Sequence, residues 1–418
     1  MDNLYQLIKI FGNPHALIDH WDTSSNRYAI WEFEETFSIN NKGEALLNGK
    51  LSNESPLELF QKTLDNWKSA SNELSAVGYI SYDFKNILFP HIAFNNPNST
   101  QPLLWFGKPK LVLPYRITES ELETASPVFR LKKDIPPPHE YKESIRKIKT
   151  ALSNGDSYQI NFTQPKKFEI TDNPLDIYLS IREMARPHYG MYLNQKDFQI
   201  LSFSPEQFFR TKNRKIESFP MKGTRPRSND LIMDERLAGE LFQSVKDRAE
   251  HLMIVDLIRN DLGKICDYDS VKVDDLYGIQ SFKTVHQMVS RVYGKLQNSI
   301  TESDIIRALF PGGSITGAPK EKSMEIIDTL EGYQRGIYTG CLGYIQPNGD
   351  MDFNIAIRTM TIQNEKAVYP VGGGIVWDSD SLEEWQEAQQ KGAILKPFQK
   401  NVQPQKVNHE KTQQFSNH

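Results

Sequence analysis

AVYPVGGGIVWDSDSLEEWQEAQQKGAIL, residues 367–395, holds both kinds of regular structure within one short run. AVYPV is strand-like, three glycines follow at 372–374, and DSDSLEEWQEAQQKG then has helical spacing. Ser381 and Glu384 stand in the S-x-x-E order of a capping box, which gives Glu384 a structural reason to exist. Glu387 and Lys391 have no such reason. Glu384, Glu387 and Lys391 follow i, i+3, i+7 spacing and share a helix face, with Trp385, Ala388 and Gly392 on the side expected to pack. Clustered glycines allow backbone N–H groups to approach an anion closely. A strand-like run, a glycine cluster and a helical stretch with an acidic face thus follow one another in a chain that mixes α and β.

Working outward, the first 135 residues read as a β-rich lobe, carried by RYAIWEFEETFSI (27–39), LSAVGYISYDF (74–84) and KLVLPYRI (110–117). Pro136 to Pro138 punctuate the chain, and HEYKESIRKIKTALSNG (139–155) is helical with Gly155 as its stop. Residues 136–400 form a second region in which strands and helices alternate irregularly, with longer helices expected near 230–260 and 381–395. The polar 401–418 segment reads as a disordered tail. No fixed-period repeat is present, which excludes solenoids and propellers.

Composition narrows the function classes. The 418 residues are 38% hydrophobic and 24% charged, a globular balance. With 49 Lys and Arg against 53 Asp and Glu, the net charge of −4 offers no electrostatic attraction to nucleic acid or an anionic membrane. The N-terminus lacks a basic region leading into a long apolar run, and no stretch of about 18 apolar residues occurs, so a soluble cytoplasmic protein is expected. Cys266 and Cys341 are too few for a disulfide framework or a thiolate zinc site and read as small buried apolar residues.

Four further segments carry polar groups in unusual places. SFPMKGTRPR (218–227) puts Lys222 at the end of a strand-like run, where the backbone is expected to turn at Gly223 and Thr224. DERLAGELFQSVKDRAEHLMIVDLIRNDLG (234–263) reads as one helix with Leu241, Val245, Ala249 and Leu252 on a stripe and Asp247 and Glu250 on an adjoining face. If that face meets Glu384 and Glu387, three or four carboxylates converge in a manner suited to Mg²⁺. FPGGSITGAPK (310–320) is a second glycine-rich segment, and neither it nor 369–380 fits a nucleotide-binding pattern. Arg358, in DFNIAIRTM, falls in an alternating strand pattern.

Taken in order, SYQINFTQ, LSFSPEQFF, PMKGTRPR, AEHLMIVDLIRNDLG, GSITGAPK, RGIYTGCLGYI, FNIAIRT and GGGIVWDSDSLEEWQEAQQKG resemble the motifs of the chorismate-utilising enzymes. The resemblance covers about residues 137–397, and VGYISYD in the first lobe fits it too. It implies an α+β fold of two packed, mainly antiparallel sheets with outer helices, and Mg²⁺-dependent chemistry on chorismate. By position it implies Lys222 as nucleophile and Glu206 as general acid, with Glu250 and Glu387 holding Mg²⁺ and Asp247 and Glu384 assisting. The same carry-over assigns substrate contacts to Gly223, Thr224, His286, Ser314, Tyr338, Arg358, Gly372, Gly374 and Lys391.

Subtype turns on two positions within that resemblance. Isochorismate and salicylate enzymes carry a water-activating lysine where this chain has Gln159, and anthranilate synthases usually carry alanine where it has Lys222. PMKGT resembles the aminodeoxychorismate synthase form, which implies ammonia as co-substrate and a separate glutamine amidotransferase subunit as partner. Neither cysteine sits in a G-x-C-x-G turn, so no fused glutaminase is expected. Anthranilate synthase component I and a non-catalytic subunit of the same fold are the alternatives. Two departures stand out: Met221 in place of isoleucine, and His251 beside Glu250 in place of asparagine.

Overall fold

The computed structural model describes residues 2–20, 27–70, 73–95, 101–116, 128–283 and 285–399. The expected tail at 401–418 lies outside the described residues.

Alternating and continuous apolar runs become strands that hydrogen-bond into one long, overwhelmingly antiparallel ribbon. From one end, Phe129–Lys133 pairs with Gln159–Ile170, which pairs with Lys366–Ile375. The ribbon continues through Thr359–Gln363, Gln199–Ser204 and Tyr189–Asn194 to Ala16–Asp19 and Tyr28–Ile39. It then passes through Leu104–Arg116, Ala76–Ile80, Cys341–Ile345, Met351–Ile355 and Gln207–Lys212, and ends around Val285–Lys295. Ala16–Asp19, Tyr28–Ile39, Leu104–Arg116 and Ala76–Ile80, all from the first 135 residues, thus lie in the middle of the ribbon, bonded on both sides to strands from the second region, while Phe129–Lys133 forms one end.

A ribbon this long buries its apolar faces only by folding onto itself. Ala16, Ile18, Met191, Leu193 and Ile200 from one half pack against Val77, Tyr79, Trp105 and Leu342 from the other, all nearly inaccessible. That is the two-layer α+β arrangement the resemblance implies. Helices cover the outer faces: Pro56–Ala70 buries Phe60, Leu64 and Trp67 against Phe37 and Phe106, and Pro174–Ala185 buries Ile177, Tyr178 and Ile181. Cys266 and Cys341 are buried free thiols, as their apolar surroundings suggested.

Two helices position the site, and both differ from the sequence expectation. The 230–260 segment is two helices, Leu231–Gln243 and Val245–Gly263, divided at Ser244. Ser244 takes an extended conformation and its hydroxyl accepts from the Asp247 amide, so it caps the second helix instead of continuing the first. The stripe through Leu241 and Val245 is consequently broken: Leu241 is buried, while Val245 is 84% exposed. The last long helix is Ser381–Lys391, and its cap is Asp380, whose carboxylate accepts from the Leu382 and Glu383 amides. The Ser381–Glu384 capping box is therefore not formed. Glu384 accepts instead from the Ser379 hydroxyl at 2.7 Å, leaving its acid on the face that looks toward the glycine strand.

Candidate functional site

The glycine run that opened the sequence is an interior strand segment. Gly372, Gly373 and Gly374 lie opposite Thr163, Phe162 and Asn161 in the Gln159–Ile170 ladder. Each lacks a side chain for its own reason. A Cβ on Gly372 would stand 2.0 Å from the Phe162 carbonyl oxygen. On Gly373 it would stand 3.3 Å from both Glu387 Oε1 and Lys391 Nζ and 3.5 Å from Glu384 Oε2. On Gly374 it would stand 2.9 Å from Gln159 Nε2. The strand is thinned where polar side chains from the 381–391 helix and from Gln159 crowd against it.

Lys222 enters from the strand Met221–Pro226. The expected turn is a bulge: Lys222 pairs with Met288 and Thr224 with Gln287, so Gly223 is an extra residue at φ +67°. That conformation belongs to glycine, and a Cβ there would also meet Leu241 Cδ1 at 2.7 Å and Asp247 Oδ1 at 2.9 Å. The bulge re-aims Lys222 so that Nζ donates to Gln159 Oε1, a long contact of 3.4 Å. Burial lowers the Lys222 amine below its ordinary value, assisted by the Lys391 charge and opposed by Glu250, Glu206 and Glu387. Those five charged groups, from four separate segments, define the centre of the site.

Glu206 sits between the strands Gln199–Ser204 and Gln207–Lys212. Ser314, on the short turn Gly313–Ile315, donates to Glu206 Oε1 at 3.1 Å. A small cavity lined by Phe208, Phe209, Leu262 and Leu309 borders the acid. Burial pushes Glu206 up to about 7, against the lowering influence of Ser314, Lys222 and Lys391. An acid and an amine are thus both moved toward neutrality at one place, the combination expected of catalytic groups.

The carboxylates divide into engaged and free. Asp247 pairs with Arg225 at 3.0 Å. Glu387 pairs with Lys391 at 2.7 Å, and Lys391 Nζ also donates to the Gly372 carbonyl at 2.7 Å. Burial works to raise Glu387, and the attraction of Lys391, Lys222 and Lys246 outweighs it. Glu384 and Glu250 are raised chiefly by burial, with neighbouring carboxylates adding to it: Glu387 for the first, Asp247 and Glu387 for the second. Glu250 is partly buried and makes no hydrogen bond or ion pair among the described residues. No three potential metal-ligating side chains gather closely among the described residues. Mg²⁺ takes only one or two protein carboxylates and fills its shell with water and substrate oxygen, so unpartnered Glu250, within electrostatic reach of Glu387, fits that ion.

The other expected site residues sit in varied surroundings. Thr224 is exposed on the bulged strand. Tyr338 is buried, within electrostatic reach of Tyr141 and Tyr369. Arg358 is in a bend at φ +49° between the strands Met351–Ile355 and Thr359–Gln363, not on an alternating strand, and its charge acts on Tyr369. His286 is occupied elsewhere: Nδ1 meets Ser281 Oγ at 2.8 Å and Nε2 meets Asp234 Oδ1 at 3.0 Å. His251 is wholly buried, with Nε2 at 2.6 Å from Ser290 Oγ.

Sequence reasoning missed Gly373, Lys246 and the Arg225–Asp247 pair. Only Gly373 had a signal, its place in the middle of the glycine run. Gly374→Ala is expected to displace the Gln159 amide, lowering stability by about 1–3 kcal/mol in denaturant unfolding while leaving the fold intact.

Comparisons with known proteins show the family and the fold. Residues 14–397 match the description of a family of chorismate binding enzymes. Over 261 residues the chain is 42% identical to the aminodeoxychorismate synthase component 1 of Salmonella typhimurium, a match covering 62% of this chain and 58% of that protein. The chain thus spans somewhat more than half the length of that relative. Over 404 residues it is 32% identical to the anthranilate synthase component 1 of Methanothermobacter thermautotrophicus, covering 90% of this chain and 87% of that one. The crystal structure of anthranilate synthase component I from Streptococcus pneumoniae superposes with a TM-score of 0.77 at 26% identity, covering 88% of this chain and 92% of its own.

Proposed function

The chain belongs to the chorismate binding enzymes, and we propose that it aminates chorismate at C4, giving 4-amino-4-deoxychorismate through a covalent Lys222 intermediate. The observation that carries this reading is the Lys222 amine, lowered by burial and set among Glu206, Glu250, Glu387 and Lys391. Several relatives at 40–42% identity named aminodeoxychorismate synthase support it.

The neutral amine of Lys222 forms a bond to ring C2, the ring double bonds shift, and the C4–O bond breaks. Glu206 gives its proton to the departing hydroxyl, which leaves as water. Ammonia then forms a bond to C4, the double bonds shift back, and the C2–N bond breaks to return the lysine amine. Glu206, left as a carboxylate, takes the surplus proton from the new amino group, and the site is restored. Lys391 and the backbone of Gly372 to Gly374 line the side where a substrate carboxylate would rest.

Mg²⁺ held by Glu250 and Glu387, with Glu384 nearby, would neutralise the ring carboxylate of the substrate. Glu250→Gln is expected to weaken Mg²⁺ binding about tenfold or more in direct titration calorimetry, with thermal stability kept or raised because an unpartnered charge is removed. Most ammonia is ammonium at neutral pH, so a glutamine amidotransferase delivering it in the cytoplasm is the partner this chemistry calls for. No described helix is long and apolar enough to cross a membrane.

A second reading has one observation in its favour: the relative matched over 90% of the chain is named anthranilate synthase. Product analysis separates the two. Purified protein with chorismate, Mg²⁺ and ammonia at alkaline pH should yield 4-amino-4-deoxychorismate by chromatography and mass spectrometry, whereas anthranilate would establish amination at C2.

A further inference from the structure

Gln159 is wholly buried, yet its two amide atoms are treated differently by the fold. Oε1 accepts from Lys222 Nζ at 3.4 Å. Nε2 has no hydrogen-bond partner among the described residues. The backbone around it is firmly held: Gln159 pairs with Ala318, and its carbonyl accepts from Ser157 Oγ at 2.9 Å. Gly374 leaves the space the amide fills, since a Cβ there would stand 2.9 Å from Nε2 and 3.0 Å from Cδ.

A buried amide N–H without an acceptor is unfavourable, and a fold that keeps one beside its reactive centre has a use for it when a ligand arrives. Lys222 is the only described side chain that bonds this amide. We infer that Gln159 serves two sides of the reaction, with Oε1 holding one N–H of Lys222 so that the lone pair faces the ring and Nε2 donating to an oxygen of the bound chorismate.

The Lys222 half of this inference rests on the reading of that lysine as nucleophile; the Nε2 half does not. The test uses Gln159→Leu, which keeps the volume and removes the amide, beside Gln159→Asn and Lys222→Ala. Three readouts are taken: ligand-free thermal midpoint, the midpoint rise on adding chorismate with Mg²⁺, and the rate of adduct formation on Lys222 by intact-protein mass spectrometry without ammonia.

Gln159→Leu should leave the ligand-free midpoint equal or higher, weaken chorismate binding about tenfold, and slow adduct formation by at least about tenfold. Gln159→Asn, retaining both atoms one carbon short, should recover part of the binding. A lower ligand-free midpoint would make Gln159 structural and overturn the inference, as would binding and adduct rates within twofold of the unaltered protein. If no adduct forms even in the unaltered protein and Lys222→Ala keeps its turnover, the lysine reading falls. Loss of the chorismate-induced rise in Gln159→Leu would still uphold the Nε2 contact.

Discussion

Lys222→Ala is expected to reduce formation of 4-amino-4-deoxychorismate by about 10³-fold or more, while binding of chorismate and Mg²⁺ survives. The expectation follows from placement. The Gly223 bulge turns Lys222 into a site where burial disfavours its charge, and one long contact to Gln159 is its sole hydrogen bond among the described residues. A lysine serving only as a structural cation would be paired more tightly, as Lys320 is with Asp261 at 2.7 Å. The loss should appear in kcat, since the amine acts in the bond-making step, and KM for chorismate should change little. A thermal melt of the same variant separates lost chemistry from lost fold.

Glu206→Gln is expected to lower the rate by about 10²–10⁴-fold, the usual contribution of a positioned general acid. The unaltered protein should show a matching pH dependence. With Glu206 raised to about 7 by burial, the acid form is present below neutrality, and kcat should fall about tenfold per pH unit well above 7. Stability should move with it. A carboxyl whose folded value lies above its unfolded one makes the native state bind more protons between about 4.5 and 7, so stability declines as pH rises through that window. Glu206→Gln should therefore match the unaltered protein in thermal melts at pH 5 and exceed it at pH 8. An activity loss accompanied by higher stability at pH 8 marks a residue kept for chemistry.

The fold class was legible because ordered motifs span most of the second region and because strand-like runs recur through the first. Individual partners were less legible. Asp247 reads as a free acid on a helix, yet it is taken by Arg225 from the bulged strand. His286 reads as a site residue, yet Asp234 and Ser281 occupy both ring nitrogens. Such pairings depend on which strands become neighbours, and nothing in local spacing encodes that. The break at Ser244 did have a local signal, a serine three residues before Asp247, but the apolar spacing across it was more conspicuous than the cap. At the opposite end of the site, Asp380 outcompeted Ser381 as the cap because its carboxylate reaches two amides at once. That single-residue shift frees Glu384 to face Gly373 alongside Glu387 and Lys391.

The Arg335–Glu331 pair illustrates how the site is held from behind. Arg335 is buried and donates to the Asn161 and Ile315 carbonyls, while Glu331 accepts from the Thr163 amide. Asn161 and Thr163 lie opposite Gly374 and Gly372, and Ile315 follows the serine that bonds Glu206. One ion pair thus ties together the glycine strand and the acid's support, which fixes the spacing between groups that must meet the same ring.

The most direct test of the account is peptide-mapped mass spectrometry of the protein after incubation with chorismate and Mg²⁺ in the absence of ammonia. The account predicts a modification on Lys222 equal to chorismate less one water, discharged when ammonia is added and absent from Glu206→Gln on the same timescale. Turnover to 4-amino-4-deoxychorismate with Lys222 never modified, and undiminished in Lys222→Ala, would contradict it.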